Sequence, residues 1–297
     1  MPFGLLTGLG AALSWGAMDI ATALASRRIG SLRVTAGVQL VCAVILVVVA
    51  MAAGSTFPTD PLAIGSAVLL GFIGAGAYLA YFTGLQIGPI SVVSGMVAAY
   101  GGLTVLLSVV VRGESLTVVQ ALGATVATIG VILTGVAFGG GLRGMRFAGP
   151  GVAFAVVALV MFALMAITTD VALESADWIQ VLLVSRLVTA AVSIAAILAL
   201  AVAGRRASAS GPARGEPVPV RRVGAMLVVG GALDAAGQIA FAVGLSSAPT
   251  WMVGLASSFG PAVTILVAVA FLGERLKTIQ WLGLGGVAIG MVTIGLP

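Results

Sequence analysis

From Val34 to Ala53 the chain reads VTAGVQLVCAVILVVVAMAA, twenty residues without one charged side chain. Rising 1.5 Å per residue as a helix, such a stretch is about 30 Å long, the thickness of a bilayer's hydrocarbon core. Comparable runs recur near residues 3–25, 62–85, 90–111, 117–138, 147–170, 178–203, 223–246, 250–272 and 277–296, making ten with 34–53. They are too long for barrel strands and lack alternation of apolar and polar residues. In hydrocarbon each peptide group must find its partner inside the structure, which selects helices. The fold class expected is an all-α integral membrane protein with ten transmembrane helices.

Charge scarcity agrees. Only 8% of the 297 residues are charged, against 60% apolar, whereas a soluble domain carries roughly a quarter charged residues. Lipid must therefore be the solvent for most of the exterior. The net charge of +5 has a topological use rather than a nucleic-acid partner. Of fourteen Lys and Arg, twelve fall in alternate turns, those at 26–33, 139–146, 204–222 and 273–277. Arg112 stands alone in the opposite set, and Arg186 lies inside a span. The positive-inside rule then puts the basic set in the cytoplasm and both termini outside. No Lys or Arg precedes the first apolar run, which Trp15 and Asp19 interrupt, so that run is expected to be a span rather than a cleavable leader. The one cysteine, Cys42, excludes an intramolecular disulfide. Without histidine, the usual His-containing metal sites and His-based acid–base chemistry are absent. No metal and no cofactor is expected.

The chain also repeats itself. Tyr81–Gly135 laid on Phe241–Gly295, a shift of 160 without gaps, gives sixteen identities in 55 positions. They include Pro89/Pro249, Thr104/Thr264, Gly113/Gly273, Glu114/Glu274, Gln120/Gln280 and Gly130/Gly290. The domains expected are a first five-helix repeat over 1–138 and a second over 147–297, with a cytoplasmic loop, 204–222, inside the second. Five is odd, so the second repeat must enter the membrane upside down. Inverted repeats are typical of secondary transporters, which hold their substrate between the halves near the midplane.

Taken together, a Pro opening the fourth helix, Gly-Glu after it, and Gln and Leu-Gly in the fifth, all duplicated, resemble the EamA family of the drug/metabolite transporter superfamily. The resemblance covers nearly the whole chain. It implies a transporter, not an enzyme, that exports or exchanges small metabolites, amino acids or drugs. Two positions depart from the family pattern. The mid-helix proline of the fourth helix is present as Pro261, but its counterpart is Gly101; the arginine of the second helix is present as Arg186, but its counterpart is Gln39.

Residue chemistry divides the polar positions into two kinds. Pro89, Glu114, Pro249 and Glu274 read as a structural helix-end motif: carboxylates complement a helix's positive end, and Pro suits a first turn. Charges well inside spans are costly and mark function. Asp19, with Trp15 and Thr22 on its face, and Asp234, with Gln238 and Phe241, are therefore the cavity and proton-coupling candidates. Shifted by 160, the Asp234 face becomes Gly74, Tyr78 and Tyr81. Tyr100 and Arg186 complete the candidate cavity set, with Arg186 serving either substrate or as a clamp on an Asp. Asp170 lies near a span end. Trp178, Trp251 and Trp281 read as interfacial anchors.

The expected partners are a small-molecule solute and the lipid bilayer of a cytoplasmic (inner) membrane, with the chain a monomer or homodimer. Proton-coupled export by alternating access is the first reading. A membrane-embedded enzyme using the two Asp, or a passive channel, is the alternative.

Overall fold

The computed structural model describes residues 2–88, 90–136, 150–203, 219–260, 262–263 and 278–295. Among these, all regular structure is helical: α1 (Pro2–Ile29), α2 (Ser31–Ala52), α3 (Pro61–Ile87), α4 (Ile90–Val97), α5 (Tyr100–Arg112), α6 (Val118–Val136), α7 (Pro150–Leu173), α8 (Trp178–Val202), α9 (Val220–Leu245), α10 (Thr250–Ser257) and α11 (Thr278–Gly295). Seven stretches are long and apolar enough to cross a membrane: α1, α2, α3, Val93–Arg112, α7, α8 and α9. Val118–Gly130 and Trp281–Ile294 are shorter apolar helices. The expected span at 250–272 is described only in its first part. The loop 204–222 lies largely outside the described residues, as do Pro89, Pro261 and Glu274.

Sequence signals set several helix ends. Asp60 accepts hydrogen bonds from the Leu62 and Ala63 amides at 3.3 Å, with Pro61 opening α3. Asp177 does the same for α8, taking the Ile179 amide at 2.6 Å. Both supply an oxygen to amides that have no intrahelical acceptor. Gly113 ends α5 at φ 68°, a left-handed conformation costly to a residue with a Cβ.

Burial is inverted relative to a soluble protein. Leu6, Val48, Leu62, Phe72, Val110, Leu122 and Ile129 are exposed, while Asp19, Gln39, Arg186, Asp234 and Gln238 are buried. An outside this apolar matches a lipid solvent, and the polar groups must find partners within the bundle.

Two pairs of corresponding helices, α6 with α11 and α2 with α8, pack on one another antiparallel. An added Cβ on Gly290 of α11 would fall 2.6 Å from Gly123 O and Ala127 N of α6. One on Gly130 of α6 would fall 2.7 Å from Gly283 O and 2.6 Å from Val287 N of α11. Gly123 thus faces Gly290 while Gly130 faces Gly283, a reciprocal backbone contact between repeat-equivalent residues. Small residues permit such approach where lipid gives no hydrophobic drive for association. Gly290→Ala is therefore expected to destabilise by about 1–3 kcal/mol through overpacking, read as a lower melting temperature in detergent. Gly285→Ala, where nothing stands within 4 Å, should leave that temperature unchanged.

α2 and α8 likewise run antiparallel, with Cys42, Leu46 and Ala50 clustered with Leu182, Leu183, Trp178 and Ile179. α1 packs along α9 and α3 along α7. The fourth helix of each repeat is interrupted at the same place. α4 stops at Val97 and α10 at Ser257, positions 160 apart, and turns follow at Ala98–Ala99 and Ser258–Phe259. A proline at 261 has no amide for the carbonyl four residues back, which accounts for the second break. The first forms without proline, before Gly101 and Gly102, and is bridged by a Gly101 amide bonding the Ala98 carbonyl at 3.3 Å.

Candidate functional site

The two breaks meet beside a cavity of about 70 Å³. α1 contributes Trp15 and Asp19, α3 contributes Tyr78 and Tyr81, and α9 contributes Gln238 and Phe241. Ser94 of α4, Tyr100 of α5, Phe162 and Thr169 of α7, and Ser257 of α10 complete its polar and aromatic wall. All three tyrosines of the chain are here. Phe162 stands among them, its ring 5.5 Å from Tyr78, 5.8 Å from Tyr81 and 6.0 Å from Tyr100. Trp15 and Phe241 form a second pair at 5.7 Å.

Asp19, only 4% exposed, accepts a hydrogen bond from the Ser94 hydroxyl at 3.1 Å. Tyr100 and Ser257 share a hydrogen bond of 2.6 Å, tying the two interrupted helices together where they cross. Nearby, an added Cβ on Gly254 of α10 would press on the Thr104 side chain of α5, and one on Gly101 would strike Ser258.

Of the eight expected cavity residues, Trp15, Asp19, Tyr78, Tyr81, Tyr100 and Gln238 line the cavity. Asp234 and Arg186 are not part of its lining. They lie fully buried behind Tyr78. The Tyr78 hydroxyl donates to Asp234 Oδ1 at 2.6 Å, and Gln39 Nε2 donates to Oδ2 at 2.9 Å. Arg186 Nη1 donates to Gln39 Oε1 at 3.2 Å, and its guanidinium carbon lies 5.6 Å from the Tyr78 ring centre. Gln238 Nε2 donates to the Tyr78 hydroxyl at 2.8 Å. Tyr78 thus shows its ring to the cavity and its oxygen to the network. Helical spacing puts Asp234 and Gln238 on one face, yet one intervening phenol separates the carboxylate from the open space. Gln39 and Arg186, the repeat-equivalent pair, meet directly at the α2–α8 crossing.

Phe162, Ser94 and Thr169 were missed by sequence reasoning. Phe162 sits in a helix apolar all round, so no periodicity marks its face.

Glu114 of the helix-end motif serves a helix start in the other repeat: its Oε1 accepts the Thr250 amide at 2.8 Å and its Oε2 the Trp251 amide at 3.1 Å, capping α10. Pro249 stands at the N-cap position of that helix, just before its first turn. Beside this cap Arg112 pairs with Asp170 at 2.6 Å and also with Glu174. Trp251 is no interfacial anchor: only 1% exposed, it packs against Ala98, Ala124 and Ala127, small residues that leave room for an indole. Trp281 is exposed and Trp178 is partly buried. Glu114→Ala should cost about 1 kcal/mol, the usual worth of an N-cap, with Glu114→Gln retaining part because its amide oxygen still accepts; thermal unfolding in detergent checks both.

This is a multi-pass membrane protein whose polar groups converge on a central space enclosed by two like halves. The chain belongs to the EamA-like transporter family, whose model matches residues 2–136 and again 149–296. A crystal structure of another protein superposes with a TM-score of 0.78 at 20% identity, over 99% of this chain and 98% of that one, which shows a shared fold. No curated protein matches the sequence.

Proposed function

We propose that the protein is a secondary transporter that carries a small solute across the cytoplasmic membrane by alternating access. One observation carries this reading: the cavity lies between the repeats, takes its lining from both, and adjoins the paired breaks of their fourth helices. Broken helices at a repeat interface are where secondary transporters hold substrate and bend. The antiparallel packing of α6 on α11 and of α2 on α8 supports an inverted arrangement, and hence ten spans with five per repeat, over 1–138 and 147–297. The distribution of Lys and Arg supports cytoplasmic basic turns and external termini; export is the direction the family resemblance suggests. One chain holds both halves, so a monomer suffices, although a homodimer is compatible.

Proton coupling is assigned to Asp19. It is the carboxylate at the cavity wall, and intramembrane carboxylates serve as proton relays in transporters. Asp234, with both oxygens engaged and no access to the cavity, is assigned to holding Tyr78 in place.

In this structure α5 and α10 are joined from the cavity to the Glu114 cap, through Tyr100–Ser257 and Thr104 against Gly254. Alternation requires that seam to part.

Reconstitution into proteoliposomes tests the proposal, with counterflow of amino acids, sugars and organic cations measured with and without a pH gradient. Saturable counterflow of at least one solute is expected. Linear flux without saturation would mean a channel, and chemical conversion of a solute in detergent would mean an enzyme.

A further inference from the structure

Resting on that transport reading, we propose that the cavity selects a small organic monocation, an ammonium group carrying an apolar or aromatic body. Among the described lining residues, the charged side chain is Asp19, and none is Lys or Arg. A bound cation would therefore meet a negative charge on one wall.

The other walls suit the rest of such a molecule. Trp15, Tyr78, Tyr81, Tyr100, Phe162 and Phe241 line the space. Ring faces attract ammonium groups through their quadrupole, most strongly when water is excluded. The buried cation nearby, Arg186, is withdrawn behind Tyr78, where it is directed to Gln39 and the Asp234 network. An anion would face Asp19, with no Lys or Arg among the described lining residues to hold it. Most small-molecule pockets are apolar with a few placed polar groups that set orientation; here Asp19 is that group, oriented by Ser94.

Binding to the purified protein in detergent tests this apart from transport. Benzyltrimethylammonium is titrated while Trp15 fluorescence is followed, with Trp15→Phe as the control that removes the signal. Benzyl alcohol and benzoate are the neutral and anionic comparisons. The cation should bind at least ten-fold tighter than either, and Asp19→Asn should lose that preference while Asp19→Glu keeps part of it. Equal or tighter binding of benzoate or benzyl alcohol would overturn the proposal, as would unchanged cation affinity in a folded Asp19→Asn variant. If that variant does not fold, the charge preference of the parent protein decides the matter alone. Saturable counterflow of an uncharged solute, with no cation bound, would leave the transporter standing and remove only the monocation. Absence of counterflow for every solute, with the cation bound, would do the reverse.

Discussion

Asp19→Asn is expected to abolish accumulation driven by a pH gradient while leaving the protein folded. Vesicles loaded at acid pH and diluted into alkaline buffer should take up solute against its gradient as protons leave, and the variant should lose at least nine-tenths of that uptake. The substitution is nearly isosteric, and its amide oxygen can still accept from Ser94, which now bonds Asp19 Oδ2. What disappears is a group able to gain and release a proton at the cavity wall. A melting temperature close to the parent's separates lost coupling from lost structure. Uptake that still follows the gradient in the folded variant would move coupling elsewhere.

Arg186→Met is expected to have the largest effect on stability. The guanidinium is fully buried and, through Gln39 and the Tyr78 ring, faces the buried Asp234 carboxylate. Removing one member of a buried charge pair typically costs about 3–5 kcal/mol, because its partner remains buried and uncompensated. Asp234→Asn in the same chain should recover much of the loss, since no charge is then left behind. The comparison of melting temperatures in detergent is therefore a double-mutant cycle. Additive losses, or an Arg186→Met variant as stable as the parent, would show that the two charges do not depend on each other.

The two predictions separate residues that look alike in one dimension. Asp19 and Asp234 are both carboxylates within apolar spans, each with aromatic and polar neighbours at helical spacing. Periodicity says which residues share a face; it does not say what stands opposite that face. Tyr78 stands opposite Asp234 and covers it, whereas the space beside Asp19 is open. The same gap between spacing and contact explains Glu114. A carboxylate beside one helix start invites a local cap, but the turn places it against the first amides of α10, more than a hundred residues away in sequence. Trp251 was misread for a related reason, since nearness to a span end does not reveal whether neighbouring helices cover the ring.

The sequence by itself determined that the chain is a membrane protein of helices, that it consists of two related halves, and which few polar side chains lie inside its spans. Those properties are local or additive: apolar length, charge count and residue identity at a fixed offset. Tertiary structure alone decided which carboxylate meets the cavity, which is locked behind a tyrosine, and which glutamate ties one half to the other. These depend on how α1, α3, α9 and the broken fourth helices cross, and a helix crossing is set by side-chain fit between segments distant in the chain.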